Sequence, residues 1–242
     1  GILLHVGADF LNSYGVHPFT PFLDRWYYGD TLFIVEPLVW FSLLPFVARE
    51  ADRSAARIAW AALAIAMLVL VWIFPTFPRG LSESLTLFLA VSTSITLSVR
   101  RPLPRRTVPI GILATVLVSF AAAGNRARSA VRSAWESAGT GETPLSIGSS
   151  PGPGNPVCWS VGLETLRADA RLGDEYLYRA ADVSLLPSVL PPSECAAFTR
   201  SGLTPEYSPP SLSSTPSVRW DGDVRLSVES FDRLRVRSAR FR

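Results

Sequence analysis

The composition of this chain of 242 residues indicates one class of protein and argues against another. Charged residues make up only 18% of the chain and hydrophobic residues 48%, a balance that is typical of a membrane protein. The formal net charge is only +3, so nucleic-acid binding has no compositional support and we expect no nucleic-acid partner.

The first predicted element is a short helix with polar side chains on one face. His5, Asp9 and Asn12 are spaced by four and three residues, which places them within about 60° of arc at roughly 100° per residue. A polar stripe on an otherwise apolar helix costs free energy unless it binds something. A histidine and a carboxylate one turn apart often hold a divalent metal. We therefore predict a metal pair, and the alternative is a His–Asp hydrogen bond that joins two membrane helices.

An irregular loop rich in aromatic residues is predicted after this helix. Gly15 tolerates positive φ and ends the helix, and the aromatic content of residues 16–29 is that expected at a membrane–water boundary. Asp30 and Glu36 follow the loop, which can fold back and bring an acidic group over the His–Asp face. The alternative for Asp30 is an N-cap of the next helix.

The block from residue 5 to residue 40 has a recognisable pattern. It reads H-x3-D-x2-N-x-Y-G, then P-F, then W-x-x-G-D-x-L-F-I and an acidic-Pro pair. This pattern resembles the membrane-bound metal-dependent hydrolase family. These are bacterial inner-membrane hydrolases, some under the LexA repressor, and they are grouped with the zinc-dependent phospholipase C and nuclease fold. The resemblance implies His5 and Asp9 as metal ligands, with Glu36 at the usual Asp-Pro position.

Two departures from the family pattern bear on the predicted site. Family members carry an upstream segment with Asp residues and an H-R-x-x-T-H-S motif, which should supply further ligands. The chain begins at Gly1 without that segment, and family members continue into further strands after its last residues, so the resemblance implies a chain that is truncated at both ends. Glu36 in place of Asp is a mild change.

Four long apolar runs then predict about four transmembrane helices, at residues 31–48, 58–74, 85–99 and 108–123. A helix needs about 20 apolar residues to cross a bilayer core, with a lower limit of about 17. The alternative is a buried helix in a large soluble bundle, which four such runs within roughly a hundred residues make unattractive. We therefore predict a multi-pass protein of the bacterial inner membrane, with membrane lipids around it.

Arginine placement predicts the orientation of these spans. Two loops are rich in arginine, and by the positive-inside bias both are cytoplasmic: Arg49, Arg53 and Arg57 in one, and Arg100, Arg101, Arg105 and Arg106 in the other. The N-terminal loop and everything after Ala123 would then lie on the outer side. Three arginines after the last run, at positions 126, 128 and 132, argue the other way.

The last hundred residues predict a small extramembrane region. Residues 125–137 suit an arginine-rich helix along the membrane surface, which ends a helical membrane domain at 1–137 with the metal motif at 1–37. Residues 138–156 are rich in Gly, Pro and Ser and predict a flexible linker. Residues 157–242 predict an α+β region, with antiparallel strands at 157–166 and 175–185 and a short helix at 193–200. Residues 224–242 are ambiguous, because 224, 226 and 228 alternate like a strand whereas 231, 234 and 239 suit a helix; the resemblance to the family favours the helix. Cys158 and Cys195 lack metal-type spacing, and free thiols are favoured over a disulfide.

The leading hypothesis is a membrane-bound metal-dependent hydrolase acting on an ester or phosphoester of a small or lipid-like substrate. The His and carboxylate donors favour zinc, which would activate water. Glu36 or Asp30 would act as a further ligand or general base, and Asn12 would support the ligands. The alternative is a non-catalytic membrane protein whose extramembrane region binds a partner, the His-Asp-Glu group being structural. A transporter is a weaker third option, because the spans carry few charges and no visible repeat.

Overall fold

The computed structural model describes residues 1–23, 25–99, 102–167, 175–199 and 210–227. These residues form six helices and four strands. In chain order they are α1 (Ile2–Leu11), α2 (Pro37–Glu50), α3 (Ser54–Ile73), α4 (Arg79–Ser98), α5 (Pro102–Ser137), β1 (Thr143–Gly152), β2 (Asn155–Arg167), β3 (Glu175–Ser184), α6 (Pro192–Thr199) and β4 (Val218–Ser227).

The chain divides into two compact units. The helical unit comprises Val35–Phe120 and Pro153–Asn155, and the sheet unit comprises Gly1–Ile34, Ala121–Gly152 and Pro156–Arg242. Helix α5 therefore contributes its first half to the helical unit and its second half to the sheet unit.

The helical unit packs α2 against both α3 and α4. Its core is a cluster of Phe41, Val71 and Leu85, one from each helix. Pro37 begins α2 at a position where the missing N–H costs no hydrogen bond. Between α3 and α4, the Ser82 hydroxyl donates to the carbonyl of Val71 at 3.0 Å.

Three helical segments are long and apolar enough to cross a membrane, judged by length and composition: Ser54–Ile73, Arg79–Ser98 and Thr107–Ser137. They correspond to the last three predicted spans. The first predicted span, at residues 31–48, becomes helical only at Pro37 and gives a helix of 14 residues. That helix is about 21 Å long, short of a hydrocarbon core of about 30 Å. A membrane protein with an α+β extramembrane region is confirmed, and the count of four spans is not.

The sheet unit contains a four-stranded sheet in the order β1-β2-β3-β4. Strand β2 pairs antiparallel with β3, from Cys158 opposite Ser184 to Arg167 opposite Glu175, and β3 pairs antiparallel with β4. Alternate residues of β2 are fully buried, as expected for a sheet with one covered face. Helix α5 approaches this face closely, because a Cβ on Gly124 would lie 2.9 Å from the Trp159 ring.

Several predictions for the C-terminal region are confirmed. Strands β2 and β3 and the short helix α6 lie where the sequence predicted them. The helix predicted at 224–242 is wrong over its first residues, because Val218–Ser227 forms β4. Residues 228–242 of that prediction lie outside the described part of the chain.

Two boundary predictions need correction. The stretch 138–156 is not a flexible linker over its length, because Thr143–Gly152 forms β1. Contacts distant in sequence hold that strand: Ser146 donates to Glu164 at 2.5 Å and Arg128 donates to Ser149 at 2.7 Å. Residues 125–137 are not a separate surface helix but the continuation of α5.

The cysteine prediction also needs correction. Cys158 of β2 and Cys195 of α6 form a disulfide across 37 residues of sequence. The sequence favoured free thiols because spacing along the chain carries no information about proximity in the fold.

Candidate functional site

The predicted metal pair lies on one face of α1. His5 Nε2 and Asp9 Oδ2 are 3.3 Å apart, and their side chains are 79% and 46% exposed. The spacing of four residues produces this approach because side chains one turn apart on a helix are neighbours. The sequence therefore predicted correctly that these two side chains meet.

The loop after α1 folds back onto the C-terminal end of that helix, whereas the predicted approach of an acidic group to the His–Asp face stays a prediction. The amide of Gly29 donates to the carbonyl of Phe10 at 2.7 Å, and the amides of Thr31 and Leu32 both donate to the carbonyl of Leu11 at 2.8 Å. A Cβ at position 29 would lie 2.3 Å from the Phe10 carbonyl oxygen. The motif W-x-x-G-D thus needs glycine here because the two backbone segments touch.

Asn12 lies at the end of α1, where its Oδ1 accepts a hydrogen bond from the amide of Tyr14 at 2.8 Å. Its side chain thus stabilises the turn that closes the helix. The role of Asn12 beside a metal ligand stays a prediction.

Asp30 follows the close contact at Gly29 and has a positive φ of 48°. Its carboxylate accepts from the amide of Ser149 in β1 at 3.4 Å, and its carbonyl accepts from the Ser149 hydroxyl at 3.5 Å. Asp30 therefore joins the N-terminal loop to β1 within the sheet unit. The alternative reading of Asp30 as the cap of the first span is wrong, because that cap is Glu36.

Glu36 is a buried carboxyl group at the start of α2, only 2% exposed. Oε1 accepts from the amide of Leu38 at 3.2 Å, and Oε2 accepts from the amide of Gly154 at 3.2 Å. Burial raises the pKa of Glu36 to about 7. The two amide hydrogen bonds favour the charged form and lower the pKa, but by less than burial raises it. Both carboxyl oxygens of Glu36 thus accept hydrogen bonds from backbone amides of the helical unit.

His5 and Asp9 supply only two of the ligands that a metal site needs. Within the described part of the chain, no group of three or more His, Cys, Asp or Glu side chains could hold a metal ion. A catalytic zinc takes three protein ligands and a structural zinc four, whereas α1 offers one imidazole nitrogen and one carboxylate. The second histidine, His17, is bonded to the Thr20 hydroxyl at 2.7 Å and stacks on Trp26.

Sequence reasoning missed a buried ion network in the sheet unit. Glu142 accepts from Arg179 at 2.6 and 2.9 Å and from Arg167 at 2.7 Å. The other side of the Arg179 guanidinium faces Asp223, with Nε 3.6 Å from Oδ1. Burial alone would raise the pKa of Glu142, but hydrogen bonds from Arg179, Thr165 and Arg167 outweigh it and lower that pKa below its usual value. The sequence signal was an arginine within the run YLYRAA of a predicted strand.

The geometry and composition together define a multi-pass membrane protein with a cross-linked extramembrane sheet. Residues 1–77 match the model of a family described as YdjM inner membrane protein. No curated protein and no solved structure matches the chain. The family match and the three apolar helices confirm the predicted multi-pass location in the inner membrane.

The matched segment contains α1, the folded-back loop, Glu36, α2 and α3. It supports the inner-membrane part of the resemblance stated above. The metal-dependent hydrolase and LexA parts of that resemblance stay predictions.

Proposed function

We propose that this protein is a membrane-bound metal-dependent hydrolase in which His5 and Asp9 supply two of the metal ligands. The observation that carries the proposal is the 3.3 Å approach of Nε2 and Oδ2 on an exposed helix face. An imidazole nitrogen beside a carboxylate oxygen is a donor pair that zinc accepts. The resemblance of residues 5–40 to a hydrolase family supports the same reading.

A bound divalent metal would lower the pKa of a water ligand and polarise an ester or phosphoester, for which we propose a lipid-like substrate. His5 and Asp9 would hold that metal. Glu36 and Asp30 stay the proposed acid–base groups, and a pKa near 7 at Glu36 suits proton transfer at neutral pH. The described residues supply only two donors, so they define no path for a reaction through the metal.

Metal content tests the proposal directly. The protein is purified in detergent, loaded with zinc, and its bound metal is measured by mass spectrometry. His5→Ala and Asp9→Ala should each weaken zinc binding at least about tenfold, the lower limit for losing even a group that only supports a ligand.

His17→Ala is the matched control, because His17 is the other histidine of the chain and bonds to Thr20 instead. Zinc binding should be unchanged in this variant. Zinc retained by His5→Ala, or no zinc bound by the unmodified protein, would overturn the proposal.

A second candidate is a non-catalytic membrane protein whose sheet region binds a partner. It is favoured by the structural use of both other acidic groups, since Asp30 accepts from Ser149 and Glu36 accepts from Leu38 and Gly154. Absence of bound zinc from every variant, with folding intact, would select this candidate.

We also propose that α2 is a fourth and shorter membrane crossing. The N-terminal segment and the sheet belong to one compact unit, in which Asp30 bonds to Ser149, so they lie on one side of the membrane. An even number of crossings must therefore separate them, and α3, α4 and α5 supply three. A bond from the Arg49 guanidinium to the carbonyl of Thr96 places the C-terminal ends of α2 and α4 together, as two parallel crossings require.

Sidedness is testable with a thiol reagent that does not cross membranes. In a background without the native cysteines, Phe19→Cys should be labelled from the outer side and Arg53→Cys should be protected until the cells are opened. Labelling of both positions from the same side would exclude α2 as a crossing.

A further inference from the structure

A groove opens between α2, α3 and α4 of the helical unit, with a volume of about 520 Å³. Its walls are mostly apolar, with Leu44, Ala64 and Leu89 contributing from the three helices. Small-molecule sites typically measure about 300–1,000 Å³ and have such apolar walls. The groove contains neither His5 nor Asp9 and is independent of the proposed metal site.

Two arginines lie at one end of this groove. Arg49 comes from the last turn of α2 and Arg57 from the first turn of α3. Backbone bonds anchor both guanidinium groups, because Arg49 donates to the carbonyl of Thr96 and Arg57 donates to the carbonyl of Ala51 at 3.1 Å. A guanidinium has five N–H donors, so each anchored group keeps donors for a ligand.

The charge at this end is of one sign. Among the described residues that line the groove, the two arginines are charged and none is acidic. Glu50, the last residue of α2, and Asp52, in the turn that follows, do not line the groove. An anion at this end of the groove would therefore meet two cations and no lining carboxylate.

The rest of the groove runs along the helices away from the arginines. From Arg57 to Ile65 it follows α3 for about 12 Å, at about 1.5 Å per residue. The proposed occupant must therefore combine an anionic head with an apolar tail. Two of the three helices that form the groove, α3 and α4, are apolar enough to cross the membrane, where lipids of this kind surround the protein.

We propose that this groove binds an anionic phospholipid, with its phosphate at Arg49 and Arg57 and an acyl chain between α3 and α4. Basic pockets between transmembrane helices on the cytoplasmic side are known to take anionic head groups. The arginine-rich loop after α2 is the one that the positive-inside bias assigns to the cytoplasm. A helix from a second copy would instead fill the apolar part without a preference between an anionic and a zwitterionic lipid, which the test distinguishes.

The test measures lipid retained by the whole protein in native mass spectrometry. Protein in mild detergent is titrated with phosphatidylglycerol and, separately, with phosphatidylcholine of the same chains. Phosphatidylglycerol should be retained preferentially, and Arg57→Gln should reduce its retention about fivefold, the effect expected for one basic residue facing an anionic lipid surface.

Two further variants test separately the charge of the arginines and the shape of the groove. Arg53→Gln removes the same charge from the same loop but lies outside the groove, so retention should stay unchanged. Ala64→Phe fills the groove and keeps both arginines, so retention should fall. Glycerol 3-phosphate, which has the head group without the chains, should not displace the lipid.

Three outcomes would overturn the inference. They are equal retention of the two lipids, an equal effect of Arg57→Gln and Arg53→Gln, and displacement by glycerol 3-phosphate. Retention that survives Ala64→Phe would likewise exclude the groove as the place where the chain lies.

Discussion

The helices of the helical unit and the sheet of the sheet unit place their apolar side chains in opposite ways. Helix α3 exposes large aliphatic residues, with Ile58 at 68% and Ile73 at 67%. In the sheet, Trp159, Val161 and Leu163 are completely buried. The first pattern suits a hydrocarbon solvent and the second suits water, because only water drives apolar surface inward.

Buried polar groups differ in the same sense. Apart from the carboxyl group of Glu36 at the start of α2, the helical unit buries small hydroxyl groups that bond to backbone carbonyls, such as Ser42 to Leu38 at 2.6 Å and Ser82 to Val71. The sheet buries full charges in the network of Glu142, Arg179 and Asp223. A buried charge is tolerated only when its partners offset the lost hydration. The comparison therefore predicts large losses of stability when the ion network of the sheet is broken and small ones when a hydroxyl group between the helices is removed, with the carboxyl group of Glu36 in between.

The largest effect is expected at Arg179. Arg179→Met leaves Glu142 and Asp223 buried without their main cation, and breaking a buried pair in this way costs about 3–5 kcal/mol. The free energy of unfolding of the sheet, followed by urea titration and tryptophan fluorescence, should fall by that amount.

Arg219→Met is the matched control for Arg179, because Arg219 is 40% exposed and its oxygen partner on Asp221 lies 4.0 Å away. Exposed pairs contribute about 1 kcal/mol or less. Equal losses of unfolding free energy for the two substitutions would contradict the difference between buried and exposed ion pairs.

An intermediate effect is expected from the titration of Glu36. Its pKa rises from 4.5 to about 7 on folding. Between these two pH values the folded state therefore holds a proton that the unfolded state has lost. The stability of the helical unit should thus be greatest below about pH 4.5 and fall by about 3 kcal/mol as the pH rises to about 7. Thermal unfolding across this pH window measures the slope.

Glu36→Gln should flatten the slope, because the amide does not titrate. Glu83→Gln removes an exposed carboxylate from the same unit and should leave the slope as it is. A slope of opposite sign, or one that persists in Glu36→Gln, would contradict the assignment.

The smallest effect is expected at Ser82. Its hydroxyl bonds α4 to α3, and hydrogen bonds between transmembrane helices contribute about 0.6 kcal/mol on average. Ser82→Ala should therefore lower the unfolding free energy of the helical unit by about that amount, measured by detergent-induced unfolding.

Ser84→Ala provides the reference for Ser82, because the Ser84 hydroxyl is exposed and bonds to Gly80 within its own helix. Its effect should be close to zero. A cost at Ser82 as large as that at Arg179 would mean that both units bury polar groups under the same solvent conditions.

Elements governed by local periodicity could be predicted from the sequence. The apolar runs gave α3, α4 and the first half of α5, the β-type residues gave β2 and β3, and helical spacing brought His5 to Asp9. In each case neighbouring residues in the chain determine the outcome.

Elements governed by distant contacts could not be predicted. Strand β1 has the composition of a linker and becomes a strand through partners such as Glu164 and Arg128. The ion network joins positions 142, 179 and 223, and the disulfide joins positions 158 and 195. The sequence predicts Glu36 as a site residue but does not indicate that its hydrogen bonds make it the cap of α2.

The bond between Cys158 and Cys195 has a consequence for the order in which the protein matures. Disulfides persist in oxidising spaces such as the bacterial periplasm and are rare in the cytosol. In the orientation that the two arginine-rich loops predict, the sheet lies in the periplasm, and the bond would form only after the sheet has crossed the inner membrane and α5 has been inserted. Biogenesis in that orientation would proceed in two stages, with translocon insertion first and thiol oxidation in the periplasm second.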